Sequence, residues 1–169
     1  MFWRWLRAVL ILPLNVLVVI PGGLLWLFRG GRWTHHWAAW NSGAGIAALV
    51  LGAAGLGLAL WTVALFMRFG GGTAAPWDPP QRFVVRGPYI FVRNPMIVSV
   101  FMMQSAEAIK TGSWPVFGWL LAFVTLNLFY IPLVEERGLQ ARFGEDYRRY
   151  KESVPRWIPR LPSSKIPIS

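Results

Sequence analysis

The groups in this chain best suited to chemistry are two adjacent carboxylates, Glu135 and Glu136, and an earlier triplet, Arg93, Asn94 and Pro95. The acid pair ends a long apolar run, residues 114–134. A helix carboxyl terminus disfavours negative charge, and acids at membrane depth are costly unless partnered. The pair is therefore either an ordinary helix end, solvated or bridged to Arg93 or Arg137, or a functional site. Residue type and position alone leave both readings open.

The triplet opens the next helix. Asn94 suits the N-cap and Pro95 the first helical position. Free amides at such an end also bind anions, and Arg93 would add a bidentate ligand for a carboxylate or phosphate. Capping and ligand binding are compatible roles for these residues.

Three other features carry less. Gly87-Pro88-Tyr89 makes a turn that presents an aromatic ring. Gly55 and Gly57 sit inside an apolar run, where close helix packing explains them better than approach to a ligand. His35 and His36, the two histidines, fall in an interfacial cluster with Arg29, Arg32, Trp33, Trp37 and Trp40, and an adjacent pair is a weak metal signal. Metal-ligand spacing, a P-loop, a nucleophile elbow and a dinucleotide fingerprint are all absent from the sequence. The absence of cysteine removes disulfides, thiolate metal sites and a cysteine nucleophile together.

The elements that must position these groups are apolar helices. The 169 residues are 55% hydrophobic and 14% charged, with mean hydropathy +0.44. A soluble domain of this size cannot hide that much apolar surface, whereas lipid can. Residues 8–28, 43–67 and 114–134 are each long enough to cross a bilayer. Residues 95–109 reach only about 22 Å as a helix, so the third span is shallow or tilted. The short Thr111-Gly112-Ser113 link makes the third and fourth helices a hairpin. Residues 73–94 form the longest polar connection, and residues 135–153 a helix outside the hydrocarbon. On that last helix Leu139, Phe143, Tyr147 and Tyr150 share an apolar face; beyond it the prolines give an extended tail. The amino terminus has the outline of a signal peptide, but its apolar run continues to Phe28 without a small-residue cleavage site, so a retained helix is expected.

The expected fold is thus an all-α integral membrane protein in one domain over residues 1–169, with about four transmembrane helices and an amphipathic carboxyl-terminal helix. The net charge of +10 lies between and after the apolar runs, so membrane orientation and anionic headgroups account for it and nucleic acid does not. With both termini cytoplasmic, 14 basic residues fall inside and three (Arg29, Arg32 and Lys110) outside. That asymmetry places the polar loop, the acid pair and the tail on the cytoplasmic face. Nothing in the pattern specifies an oligomeric state.

The stretch from Gly87 to Met96, with Gly87-Pro88-Tyr89 and Arg93-Asn94-Pro95, resembles the Gly-Pro-Tyr-x-Tyr-x-Arg-His-Pro-x-Tyr signature of isoprenylcysteine carboxyl methyltransferases and phospholipid methyltransferases. The acid pair after the following span, the Phe143-Gly144-Glu145-Asp146-Tyr147 stretch and Val154-Pro155-Arg156-Trp157 are similar to the carboxyl-terminal pattern of the same family. The resemblance covers about the last half of the chain. It departs at Asn94, where histidine is usual, and at Ile97, where tyrosine is common; an amide still donates a hydrogen bond but does not titrate near neutrality.

The resemblance implies S-adenosylmethionine bound on the cytoplasmic side by Tyr89, Arg93, Asn94, Pro95, Glu135, Glu136 and Tyr147, with Gly55 and Gly57 as further candidates. Arg93 and Glu136 are the expected catalytic residues, and the acceptor is a lipid or other apolar molecule reached from the membrane. In this reading a glutamate takes the cofactor's ammonium and Arg93 its carboxylate. The competing classes are a sterol-reductase-like enzyme using NADPH and a non-enzymatic membrane scaffold of the same fold. Cofactor preference discriminates among the three.

Overall fold

A computed structural model describes residues 11–29, 36–71 and 81–161. Residues 8–10 of the expected first helix, Arg32, Trp33 and His35 of the interfacial cluster, and residues 73–80 of the polar loop lie outside the described residues. Among those described, all regular structure is helical. The helices are α1 (Ile11–Leu27), α2 (Gly43–Leu65), α3 (Pro95–Thr111), α4 (Trp114–Tyr130) and α5 (Glu136–Ser153).

Two helical stretches are long and apolar enough to cross a membrane: Gly43–Gly70, which contains α2, and Trp114–Ser153, which begins with α4; α1 is apolar but shorter. Their surfaces fit lipid better than water. Leu49, Val50 and Leu60 on α2 and Leu126 and Phe129 on α4 are exposed, a density of bare apolar side chains that aqueous surfaces avoid.

α2 continues through a π turn at Phe66–Gly70 and ends on Gly71 in the left-handed region, which glycine adopts without a Cβ penalty. A second π turn, Ile131–Glu135, joins α4 to α5, and its closing bond runs from the Glu136 N–H to the Ile131 carbonyl. Pro132 explains it. Proline lacks an N–H and its ring crowds the preceding turn, and a local widening of the helix relieves both within an apolar segment.

Contacts divide the chain into two compact units, Met1–Gly57 with Ser99–Thr125, and Leu58–Val98 with Leu126–Ser169. In the first, the Trp119 indole N–H donates to the Val16 carbonyl at 3.0 Å. The rings of Phe101 and Phe123 meet edge-on at 6.0 Å, as a hairpin with a two-residue link requires. Gly52 and Gly55 bring α2 and α3 together: a Cβ at Gly55 would lie 2.9 Å from the Ser99 carbonyl oxygen and 2.9 Å from Met103 Cγ. Close packing, not a ligand, therefore accounts for Gly55. Gly55→Leu should lower stability by about 1–3 kcal/mol through overpacking. Gly57→Leu, with nothing within 4 Å of the new Cβ, should change it by less than about 0.5 kcal/mol. Thermal unfolding of the two variants in detergent micelles measures the contrast.

In the second unit, Val85, Tyr147, Tyr150 and Val154 form a buried cluster against which Phe83, Ile90, Leu139 and Phe143 pack. The residues expected on one face of the last helix are thus gathered together, although α5 is broken at Gly144 (φ 52°, ψ −124°). A residue with a Cβ is strained there, so the aromatic face is held by two short helices set at an angle.

Candidate functional site

The site is assembled in the second unit from the turn before α3, the start of α5 and the chain after it. Gly87 begins a 3-10 turn, Gly87–Ile90. Its φ of 58° suits glycine, and a Cβ there would sit 2.9 Å from Leu65 Cδ1 and 3.2 Å from the Trp61 ring. The turn buries Tyr89, whose carbonyl accepts the Tyr150 hydroxyl proton at 2.7 Å. Asn94 takes the N-cap position, its carbonyl accepting the Val98 N–H at 3.0 Å, and α3 starts at Pro95, as its residue types require.

Glu136 is the electrostatic centre. It is 2% exposed and meets three cations: Arg93 Nη1 at 2.9 Å, Arg156 Nε at 2.7 Å and Lys151 Nζ at 3.2 Å. Burial alone would raise its pKa. The hydrogen bond from Arg156, the charge of Arg93 and the hydrogen bond from Lys151 outweigh burial and hold the carboxyl below its ordinary value of 4.5.

The backbone after α5 closes over the same cluster. The Arg93 N–H donates to the Pro155 carbonyl at 2.9 Å, and the Arg160 N–H to the Phe91 carbonyl at 3.2 Å. The Asn94 amide nitrogen reaches the Arg156 carbonyl at 3.4 Å. The expected extended tail is therefore a strap, tied at both ends to residues 91–94.

Beside this cluster lies a cavity of about 300 Å³, at the small end of the range for ligand pockets. Seven aromatic residues supply its wall, among them Tyr89, Tyr147 and Tyr150. These three phenols stay protonated near neutrality. Burial pushes Tyr147 up to about 12, with the Glu136 charge adding to it and Arg93 opposing; burial also raises Tyr89 and Tyr150.

Four charged side chains line the cavity: Arg82, Arg93, Arg142 and Glu135. Arg93 Nε is buried and has no hydrogen-bond partner, so this guanidinium has a donor to spare even while it binds Glu136. Glu135 is the only carboxylate among the described lining residues. It lines the cavity and remains exposed, yet protein crowds its carboxyl. Desolvation raises its pKa, the neighbouring Glu136 adds to the rise, and Arg142 opposes it.

The structure thus gathers Tyr89, Arg93, Asn94, Glu135 and Tyr147 around one cavity and sets Glu136 behind the wall, saturated by cations. Pro95, Gly55 and Gly57 are not among the lining residues. The sequence offers Arg93 or Arg137 as a bridge for the acid pair as a whole; the structure pairs Arg93 with Glu136 and adds Lys151 and Arg156. The Val154-Pro155-Arg156 pattern was the available signal for the latter.

The phospholipid methyltransferase family matches residues 44–146, more than half of the chain and most of the site. Among curated proteins, methanethiol S-methyltransferase 1 of Bradyrhizobium diazoefficiens is 34% identical over 80 residues, which are 47% of this chain and 27% of that protein. An uncharacterized protein of Haemophilus influenzae is 33% identical over 66 residues, 37% of this chain and 100% of its own length. The matched region is therefore about a quarter of the Bradyrhizobium relative. No solved structure matches.

Proposed function

Because the chain belongs to the phospholipid methyltransferase family, we propose that it transfers a methyl group from S-adenosylmethionine to a lipid-borne or other apolar acceptor in a membrane. The observation that carries the proposal is the charge arrangement of the cavity: an unused buried Arg93 donor and the accessible Glu135 carboxylate in one aromatic-walled space. The methionine end of the cofactor carries an ammonium and a carboxylate. These residues fit it: Arg93, with the amides that open α3, for the carboxylate, and Glu135 for the ammonium.

When bound, S-adenosylmethionine supplies an electrophilic methyl carbon on a sulfonium. The residues here have positioning to do more than proton transfer, since such a displacement depends chiefly on alignment. The aromatic rings offer π faces to a cation and exclude water. Glu136 holds Arg93 in place from behind, so its role is positioning. Asn94, bonded to the strap, joins α3 to the carboxyl-terminal segment without titrating. An acceptor that is already anionic would need no base, and Glu135 is the one carboxylate among the described lining residues.

The same reading has four spans, with both termini and the site on the cytoplasmic face, supported by the 14-to-3 distribution of basic residues. An acceptor would then enter sideways from the lipid. Calorimetric titration of the purified protein with S-adenosylmethionine and with NADPH tests the proposal. The expected result is saturable binding of the first alone. Absence of S-adenosylmethionine binding at millimolar concentration sinks it, and binding of NADPH alone turns the assignment to a reductase.

A further inference from the structure

The strap exposes apolar side chains that neither the fold nor the cavity uses. Ile158 and Leu161 are 77% and 89% exposed, the barest large apolar side chains among the described residues, and Arg160 stands exposed between them. They are not on a membrane-spanning helix. They follow α5, in a segment whose backbone bonds are made to Phe91 and Arg93.

Those bonds fix the depth at which the segment lies. Arg156 and Arg93 both bind Glu136. Leu133 and Val134, half-exposed at 51% and 52%, precede Glu136 by no more than three residues, about 4.5 Å along a helix. They close the long apolar stretch that needs lipid. The strap is therefore held at the level where that stretch leaves the hydrocarbon, and its bare side chains lie where acyl chains give way to headgroups. Apolar side chains interleaved with arginine suit that zone, since the apolar groups enter the acyl boundary and the guanidinium meets lipid phosphate. Residues 154–161 carry Arg156 and Arg160 and no acid, and the half-exposed Lys151 lies close by.

We propose that the segment from Pro155 to Leu161 is an interfacial foot: Ile158 and Leu161 insert into the leaflet and Arg160 binds its anionic headgroups. The partner is an anionic lipid surface, not a protein. Because the foot is continuous with the strap over Glu136, seating it in lipid also holds the strap down on residues 91–94. The proposal stands apart from methyl transfer and requires no cofactor.

The absence of cysteine from the chain makes the test direct. Single cysteines at Ile158→Cys, Leu161→Cys and, as a control on an exposed face of α5, Arg149→Cys are labelled with a nitroxide in the full chain. Each is placed in nanodiscs of phosphatidylglycerol or of phosphatidylcholine, and collision with oxygen is compared with collision with an aqueous nickel chelate. In phosphatidylglycerol, oxygen collisions should dominate at 158 and 161 and nickel collisions at 149. Exchange to phosphatidylcholine should move the ratio at 158 and 161 toward the aqueous side by about five-fold, the worth of one arginine at an anionic surface. Aqueous access at both positions in both lipids overturns the proposal. Equal protection in both lipids also overturns it, and dipolar broadening between labels in that case would identify a second copy of the chain as the partner.

Discussion

Glu136→Gln should cost about 3–5 kcal/mol of stability, the usual penalty for removing one member of a buried ion pair. The loss is large because the carboxylate is 2% exposed and its removal strands Arg93, whose side chain is 9% exposed, along with Arg156 and Lys151. Thermal unfolding in detergent micelles reads it directly. The pH dependence carries the same signature. The native carboxyl titrates below its unfolded value of 4.5, so its stabilisation is complete above that value and is lost as pH falls through the depressed native one. The native chain and Glu136→Gln should therefore differ most near neutrality and converge in acid. A variant as stable as the native chain at pH 7 would remove Glu136 from its structural role.

Glu135→Gln should behave in the opposite way. The side chain is exposed, so the melting transition should move by less than about 0.5 kcal/mol. Loss of one charged hydrogen bond to a ligand ammonium is worth about 1.5–3 kcal/mol, or about ten- to a hundred-fold in the dissociation constant for S-adenosylmethionine. Because the native carboxyl titrates above the ordinary carboxylate value, cofactor affinity should begin to fall at a higher pH than a free carboxylate would impose. Glu135→Gln should lack that acid limb. Unchanged affinity would leave the cavity's carboxylate without its proposed task.

The contrast between neighbouring glutamates marks the limit of what the sequence could say. The elements were legible because each carries its own signal. Asn94 and Pro95 mark the start of α3, and the spacing of Leu139, Phe143, Tyr147 and Tyr150 the buried face of α5. The pairing of Arg93 with the acids followed from a hairpin that returns the chain to the same end. The division of labour between Glu135 and Glu136 had no such signal, because it depends on Lys151 and Arg156, which meet Glu136 only once the chain beyond the break at Gly144 has turned back toward the start of α5. The strap was hidden for a related reason. Its bonds are backbone to backbone, from Arg93 to Pro155 and from Arg160 to Phe91, and side-chain identity does not encode them.

The widened turn at Ile131–Glu135 acts as an indexing step between the apolar helix and the carboxyl-terminal one. Each residue advances a helix by about 100°, so the extra residue the turn accommodates sets the angular phase of everything after it. In this phase Glu136 meets the cations and Glu135 opens into the cavity. Deleting one residue of the turn would therefore turn the key and not merely shorten it: both acids would swing together by about 100°, bringing Glu136 to the place that Glu135 now holds and carrying Glu135 past it, while the composition stayed almost unchanged. Relatives one residue shorter at this point are thus predicted to present the second acid of the pair to the cavity.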